Sequence, residues 1–163
     1  MTDHPPTHRI LATSGDCRQA ALQLATQARR SLALFSRDLE PVIYDTTDFI
    51  AAVQQLALRS RYARIRMAVI DPQLAVSDGH RLIELTRRLS SYMEIRRPSE
   101  DHAKIAEAFL ISDDTGLMFR PLASRFEGFA DSDDPFQARN RLRQFDEIWE
   151  AAEPEQEFRR LGL

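Results

Sequence analysis

The chain has 163 residues, 43% of them apolar and 29% charged, enough to fill one core with a wetted surface and too few for two well-cored domains. Its 22 basic and 25 acidic side chains leave a net charge of −3, which argues against general attraction to nucleic acid or to an anionic membrane. A single cysteine, Cys17, excludes an internal disulfide framework and a Cys-rich zinc site, and no apolar run approaches the roughly 18 residues of a spanning helix.

Residues 1–13 read as a polar, flexible lead to one domain over 14–163. The opening MTDHPPTHRI lacks the basic-then-apolar order of a signal peptide, so the reading is a cytoplasmic protein with no membrane association. Ser14 can cap a helix running to about Arg30, with Cys17, Ala21, Leu24 and Ala28 on one face at spacings of three and four. Ser31 to Ser36 (SLALFS) is a short apolar run ended by Arg37-Asp38, the pattern of a buried strand. Thr46 or Thr47 opens a second helix whose stripe is Phe49, Ile50, Val53, Leu56 and Ala57.

Arg64 to Asp71 (RIRMAVID) reads as the second strand, stopped by Pro72 because proline cannot donate to a central ladder. Asp78 is predicted to cap a third helix that buries Leu82, Ile83, Leu85 and Leu89, and Tyr92 to Arg96 (YMEIR) is the third strand. Strands alternating with helices through short joins predict parallel pairing by right-handed crossovers, hence an α/β centre. From Ala108 the text becomes FLISDDTGLMFRP, a strand hairpin in which Gly116 is expected to take the positive φ of the turn. Leu122 to Asp134 reads as irregular. Asp133 or Asp134 with Pro135 then opens a long helix that should bury Phe136, Leu142, Phe145, Ile148 and Trp149, and a last turn around Glu155 to Leu161 is expected to dock on the body.

The order strand, helix, strand, helix, strand, hairpin and long helix ending FDEIWE resembles one half-unit of the phospholipase D-like fold over Arg30 to about Glu150. The phrases RSLALFSRDLEPVIYD, DGHRLIELTRRL and FRRLGL resemble an uncharacterised bacterial family of degenerate phospholipase D-like domains, often fused behind a GNAT-type acetyltransferase. The resemblance implies an α/β domain with a mainly parallel sheet, a C-terminal hairpin and flanking helices. It also implies a homodimer, because a half-unit leaves a sheet edge and the site face uncovered, and an acetyltransferase as a possible partner. No Gly-rich pyrophosphate turn is present, and no cofactor is expected.

Active members of that superfamily carry H-x-K-x4-D on the strand entering the hairpin, then a G-S/G-x-N element. The imidazole attacks phosphorus, the lysine neutralises a phosphate oxygen, and a second copy supplies the acid. Here His102-Ala103-Lys104 begins such a motif, but the acid position after four more residues is Phe109. Placing Asp113 in the acid position puts Ala106 and Ala108 where His and Lys belong. LMFRPLAS after the turn also lacks the Asn of the second element. The site therefore reads as degenerate and the chain as a non-catalytic interaction or regulatory module. His102, Lys104 and Asp113 remain as the vestigial catalytic alternative for a weak phosphodiesterase or nuclease.

Arg37, His80, Arg96 and Arg97 fall at or near the C-terminal ends of the predicted strands, where parallel α/β sheets take ligands. They are the candidate anion-binding set, read against ordinary ion pairing for the arginines and a structural role for His80. Asp113 and Asp114 read as turn residues, with no second carboxylate cluster spaced to form a metal site.

Overall fold

The computed structural model describes residues 6–154. Its eight strands form one sheet: β1 (His8–Leu11), β2 (Ser31–Ser36), β3 (Arg64–Val69), β4 (Met93–Arg97), β5 (Ala108–Ser112), β6 (Gly116–Arg120), β7 (Gly128–Asp131) and β8 (Glu153–Pro154). The helices are α1 (Ser14–Gln27), α2 (Pro41–Tyr44), α3 (Thr47–Arg59), α4 (Pro72–Ser77), α5 (Arg81–Arg88) and α6 (Pro135–Ala151), with a 3-10 turn at His102–Lys104. Strand order is β1-β7-β6-β5-β2-β3-β4-β8.

Only β2–β3 and β3–β4 pair in parallel; the other five pairings are antiparallel. The sheet is thus mixed, which corrects the expected mainly parallel one. The cause is the return from β4: the chain re-enters beside β2 rather than extending past β4, so β5 runs against β2 and the hairpin continues outward. The lead assigned to 1–13 also needs correcting, because His8–Leu11 pairs with β7 as an edge strand. β7 itself falls in the stretch read as irregular; four residues of FEGFADS carry too little periodicity to declare a strand.

Alternation along the strands divides the core. Leu32, Leu34, Ile65, Met67, Ile95 and Leu110 face α1, α3 and α5, whereas Ala33, Phe35, Ala68, Phe109 and Ile111 face α6. Each large side chain buried this way contributes about 1.5–3 kcal/mol. Phe145, Ile148 and Trp149 of α6 are buried as expected, while Phe136 is 76% exposed. Two positions separate Phe136 from buried Ala138, about 200° around a helix, so both cannot face the sheet.

Local details settle the caps. Thr13, not Ser14, caps α1 through a reciprocal pair with Asp16. Thr46 caps α3 and Asp134 caps α6. Asp78 closes the short α4 instead of opening α5, whose cap is His80. His80 Nδ1 accepts the Leu82 N–H at 3.1 Å while Nε2 donates to the Leu39 carbonyl at 2.7 Å. Both bonds require the neutral tautomer protonated on Nε2. At the hairpin the positive φ belongs to Asp113, at 52°, and Gly116 is needed for close approach: a Cβ there would lie 2.7 Å from Leu24 Cδ2. Among the described residues no helix is long and apolar enough to cross a membrane.

Two outcomes follow from this packing. A Cβ at Gly128 would stand 2.1 Å from the Phe119 carbonyl oxygen, a backbone atom that cannot step aside, so Gly128→Ala should cost about 2 kcal/mol or more in urea unfolding. Burial holds the His80 pKa below its ordinary 6.5, so the unfolded chain takes up a proton that the folded chain refuses. Stability should therefore fall as pH drops below about 6.5, and His80→Gln should flatten that slope in unfolding curves recorded between about pH 7 and pH 5.

Candidate functional site

The sheet changes direction between β2 and β5, and loops from both strands and from β6 meet at the C-terminal end of β2. In open α/β sheets such a reversal point is where a crevice forms. The loop leaving β2 is tightly held. Ser36 Oγ accepts the Leu39 N–H at 3.0 Å, Asp38 Oδ1 accepts the Glu40 N–H at 3.2 Å, and His80 fixes the Leu39 carbonyl. Leu39 is fully buried with φ of 60°, a left-handed backbone that costs a bulky residue about 1–2 kcal/mol.

That loop delivers Glu40 to Arg120, the last residue of β6. The Arg120 side chain is 1% exposed and Glu40 16%. Two guanidinium nitrogens donate to the two Glu40 carboxylate oxygens at 2.7 and 3.0 Å, a forked, charge-assisted pair. Nε donates to the Arg125 carbonyl at 2.8 Å and one terminal nitrogen to the Ala123 carbonyl at 2.6 Å, and the guanidinium lies 5.6 Å from the centre of the Phe126 ring. Glu40 holds the arginine firmly charged against the desolvation that opposes it. Burial pushes both the Cys17 thiol and the Tyr44 hydroxyl beside it up, leaving them protonated and unreactive.

Beside this pair lies a concavity of about 480 Å³ lined by Arg37, Asp38, Glu40, Ala106, Leu122, Ala123 and Ser124. It contains Ala106, which stands where the resemblance puts the catalytic imidazole, and it is bridged by the Ala123 N–H donating to the Ala106 carbonyl at 2.7 Å. Methyl groups here supply neither nucleophile nor proton.

The structure does not bring the sequence-predicted anion set together. Of Arg37, His80, Arg96 and Arg97, only Arg37 lines the concavity. His80 is 1% exposed with both ring nitrogens bonded to backbone, so it offers nothing to a ligand. Arg96 is spent on Glu94 at 2.7 Å and the Trp149 carbonyl at 3.0 Å, stacked over the Trp149 ring, and alternation places Arg97 on the opposite sheet face.

The vestigial catalytic set is also dispersed. His102 and Lys104 lie on the 3-10 turn before β5, with His102 Nδ1 3.2 Å from Ser99 Oγ and Lys104 exposed. Asp113 lies beyond the other end of β5, about 17 Å of strand away. Its carboxylate accepts the backbone N–H groups of Arg29, Arg30 and Ser31 at 2.9–3.3 Å, a purely architectural use. Among the described residues no group of three or more His, Cys, Asp or Glu is placed to hold a metal ion.

Glu40 and Arg120 were not flagged by motif or spacing. The available signal was parity: in GLMFR the residue at 120 alternates onto the same face as Met118, toward the core beneath α1, and an arginine at such a position must find an internal partner.

A family model described as a domain of unknown function, DUF7931, matches residues 13–161, and no curated protein matches the sequence. Among solved structures, TrmBL2, an archaeal chromatin protein whose structure shows a novel mode of DNA binding, superposes with a TM-score of 0.68 at 15% identity. The match covers 94% of this chain and 56% of TrmBL2, so the chain spans little more than half of that protein. Nuc from Salmonella typhimurium, a phospholipase D family member, gives a TM-score of 0.67 at 12% identity over 93% of this chain and 99% of its own. NucT from Helicobacter pylori gives 0.60 at 11% identity over 91% of this chain and 98% of its own. With a family model spanning nearly all of its length and these neighbours sharing its sheet and helices, the chain belongs to the DUF7931 family and has the fold of phospholipase D family members.

Proposed function

We propose that this protein is a non-catalytic phospholipase D-like domain that works as an interaction or regulatory module. The observation that carries the reading is Ala106 and Ala108 at the entry to β5, the positions of the attacking histidine and the phosphate-binding lysine when Asp113 takes the acid position. An alanine cannot form a phosphoenzyme. The crevice that Ala106 lines also holds Glu40, which is paired within the chain to Arg120.

As partners the reading takes a second copy of the chain and an acetyltransferase. A second copy is supported by the outer edge of β1, beside which no strand lies among the described residues, and by Ile10 on that strand, 72% exposed; unpaired edges of this kind are commonly closed by another chain. The DNA binding of TrmBL2 is not carried over, because the net charge of −3 provides no general phosphate-neutralising field. A cytoplasmic location fits the same picture.

Purified protein should not hydrolyse bis(p-nitrophenyl) phosphate or DNA. Turnover that co-elutes with the protein and disappears in His102→Ala would overturn the reading and assign His102 and Lys104 a residual phosphodiesterase role. Sedimentation velocity tests the self-association: a dimer should dissociate in Ile10→Arg, and a monomer at every concentration examined would remove the second copy.

A further inference from the structure

Three parts of the molecule carry chemistry that the proposed function leaves unused: the Arg66–Trp149–Arg96 stack, the sheet face around Phe129, and the buried Arg120. The stack is consumed internally by Asp146, Glu94 and the Trp149 carbonyl, and nothing in the structure shows what covers the Phe129 face. Arg120 differs, because its principal partner is a side chain on the wall of a concavity.

We infer that Arg120, with Arg37 at the mouth, forms a binding seat for a small oxyanion, and that Glu40 fills that seat in the free protein. Four features point to it. The Arg120 fork presents two parallel N–H donors to two carboxylate oxygens, the geometry that planar carboxylates and phosphates share. The other hydrogen bonds of Arg120 go to backbone carbonyls, of Ala123 and Arg125, and its guanidinium lies over the Phe126 ring, so it is held in place by the fold as well as by Glu40. Glu40 lines the concavity, Arg120 does not, and Glu40 is the more exposed partner, at 16% against 1%. It therefore lies between solvent and the buried cation. Finally, Arg37 lines the same concavity and forms no ion pair among the described residues, leaving a second guanidinium to meet an incoming anion.

The loop that carries Glu40 is suited to release it. Leu39 holds its left-handed φ of 60° only under the constraints of Ser36 and His80, and strained, over-determined loops are where switchable segments occur. An anion that takes the Arg120 fork must displace Glu40, so binding and movement of this loop are one event. The inference does not depend on the absence of catalysis: it concerns Arg120 and Arg37, neither of which belongs to the phosphodiesterase motif.

Removing the internal occupant tests it. Glu40→Ala should be less stable than the wild type in sodium chloride and should recover several degrees of melting midpoint in sodium formate or sodium phosphate of equal ionic strength. The wild type should gain about threefold less, because its seat is filled. Formate exceeding phosphate would identify a carboxylate as the matching ligand, the reverse a phosphate. The double variant Glu40→Leu with Arg120→Leu removes both charges and should lose the anion-specific gain. If Glu40→Ala does not fold in chloride, its refolding yield in formate or phosphate reads the same quantity, and Glu40→Gln keeps the side-chain volume. Equal gains in wild type and Glu40 variants, gains no larger than in chloride, or recovery that survives loss of Arg120 would each overturn the inference.

Discussion

A guanidinium cannot be neutralised at accessible pH, so one taken wholly out of water obliges its surroundings to supply acceptors for its fork. Arg120 imposes that demand at the end of β6. Glu40 answers with both carboxylate oxygens, and the carbonyls of Ala123 and Arg125 answer from the segment that follows the strand. Much else in this quarter of the molecule is arranged so that those acceptors arrive. The β2 loop turns through a left-handed leucine, His80 caps α5 and steadies that leucine, and α2 starts directly after Glu40. Removing either charge would leave the other buried and unpaired, a larger penalty than the pair's own net worth.

The two faces of the sheet are covered unequally. Among the described residues five helical segments pack on one side and α6 alone lies on the other. A single helix of 17 residues spans only part of eight strands, so its hold on the sheet relies on aromatic and cationic stacking: Phe109 edge-on to Phe145, Phe145 stacked on Trp149, Arg66 and Arg96 over the Trp149 ring. Over β6, the Arg141 guanidinium sits 4.0 Å from the centre of the Phe119 ring.

The central strands and the long helices were legible because their signals are local and strong. SLALFS is bounded by charge and falls on β2 without a residue's error, and the caps of α3 and α6 each take the first or second member of the expected pairs, Thr46 of Thr46-Thr47 and Asp134 of Asp133-Asp134. What escaped has a different physical origin. β7 is a strand because β6 provides its hydrogen-bond ladder, and β1 because β7 provides its own, a condition that no window of a few residues contains. The mixed character of the sheet likewise depends on where β5 returns, which local pattern leaves open. For the site, the arginine set was misplaced: consecutive arginines on β4 must diverge by alternation, and a histidine after Asp-Gly became a cap with no free nitrogen. The Arg120–Glu40 pair joins residues 80 positions apart, and spacing says nothing at that distance.

The pairing of β1 also has a consequence for the order in which the molecule can be assembled. Within this domain β1 precedes every other strand in the sequence, yet its partner in the ladder, β7, is made only after β2 to β6. Until then its backbone donors must be satisfied by water, and the apolar side of α1 behind it lacks the sheet it packs on. Contacts of such long sequence separation close late, after loop entropy has been lost elsewhere. The domain's leading strand is thus among the last to be bound, and during that interval its backbone is open to whatever extended chain passes by.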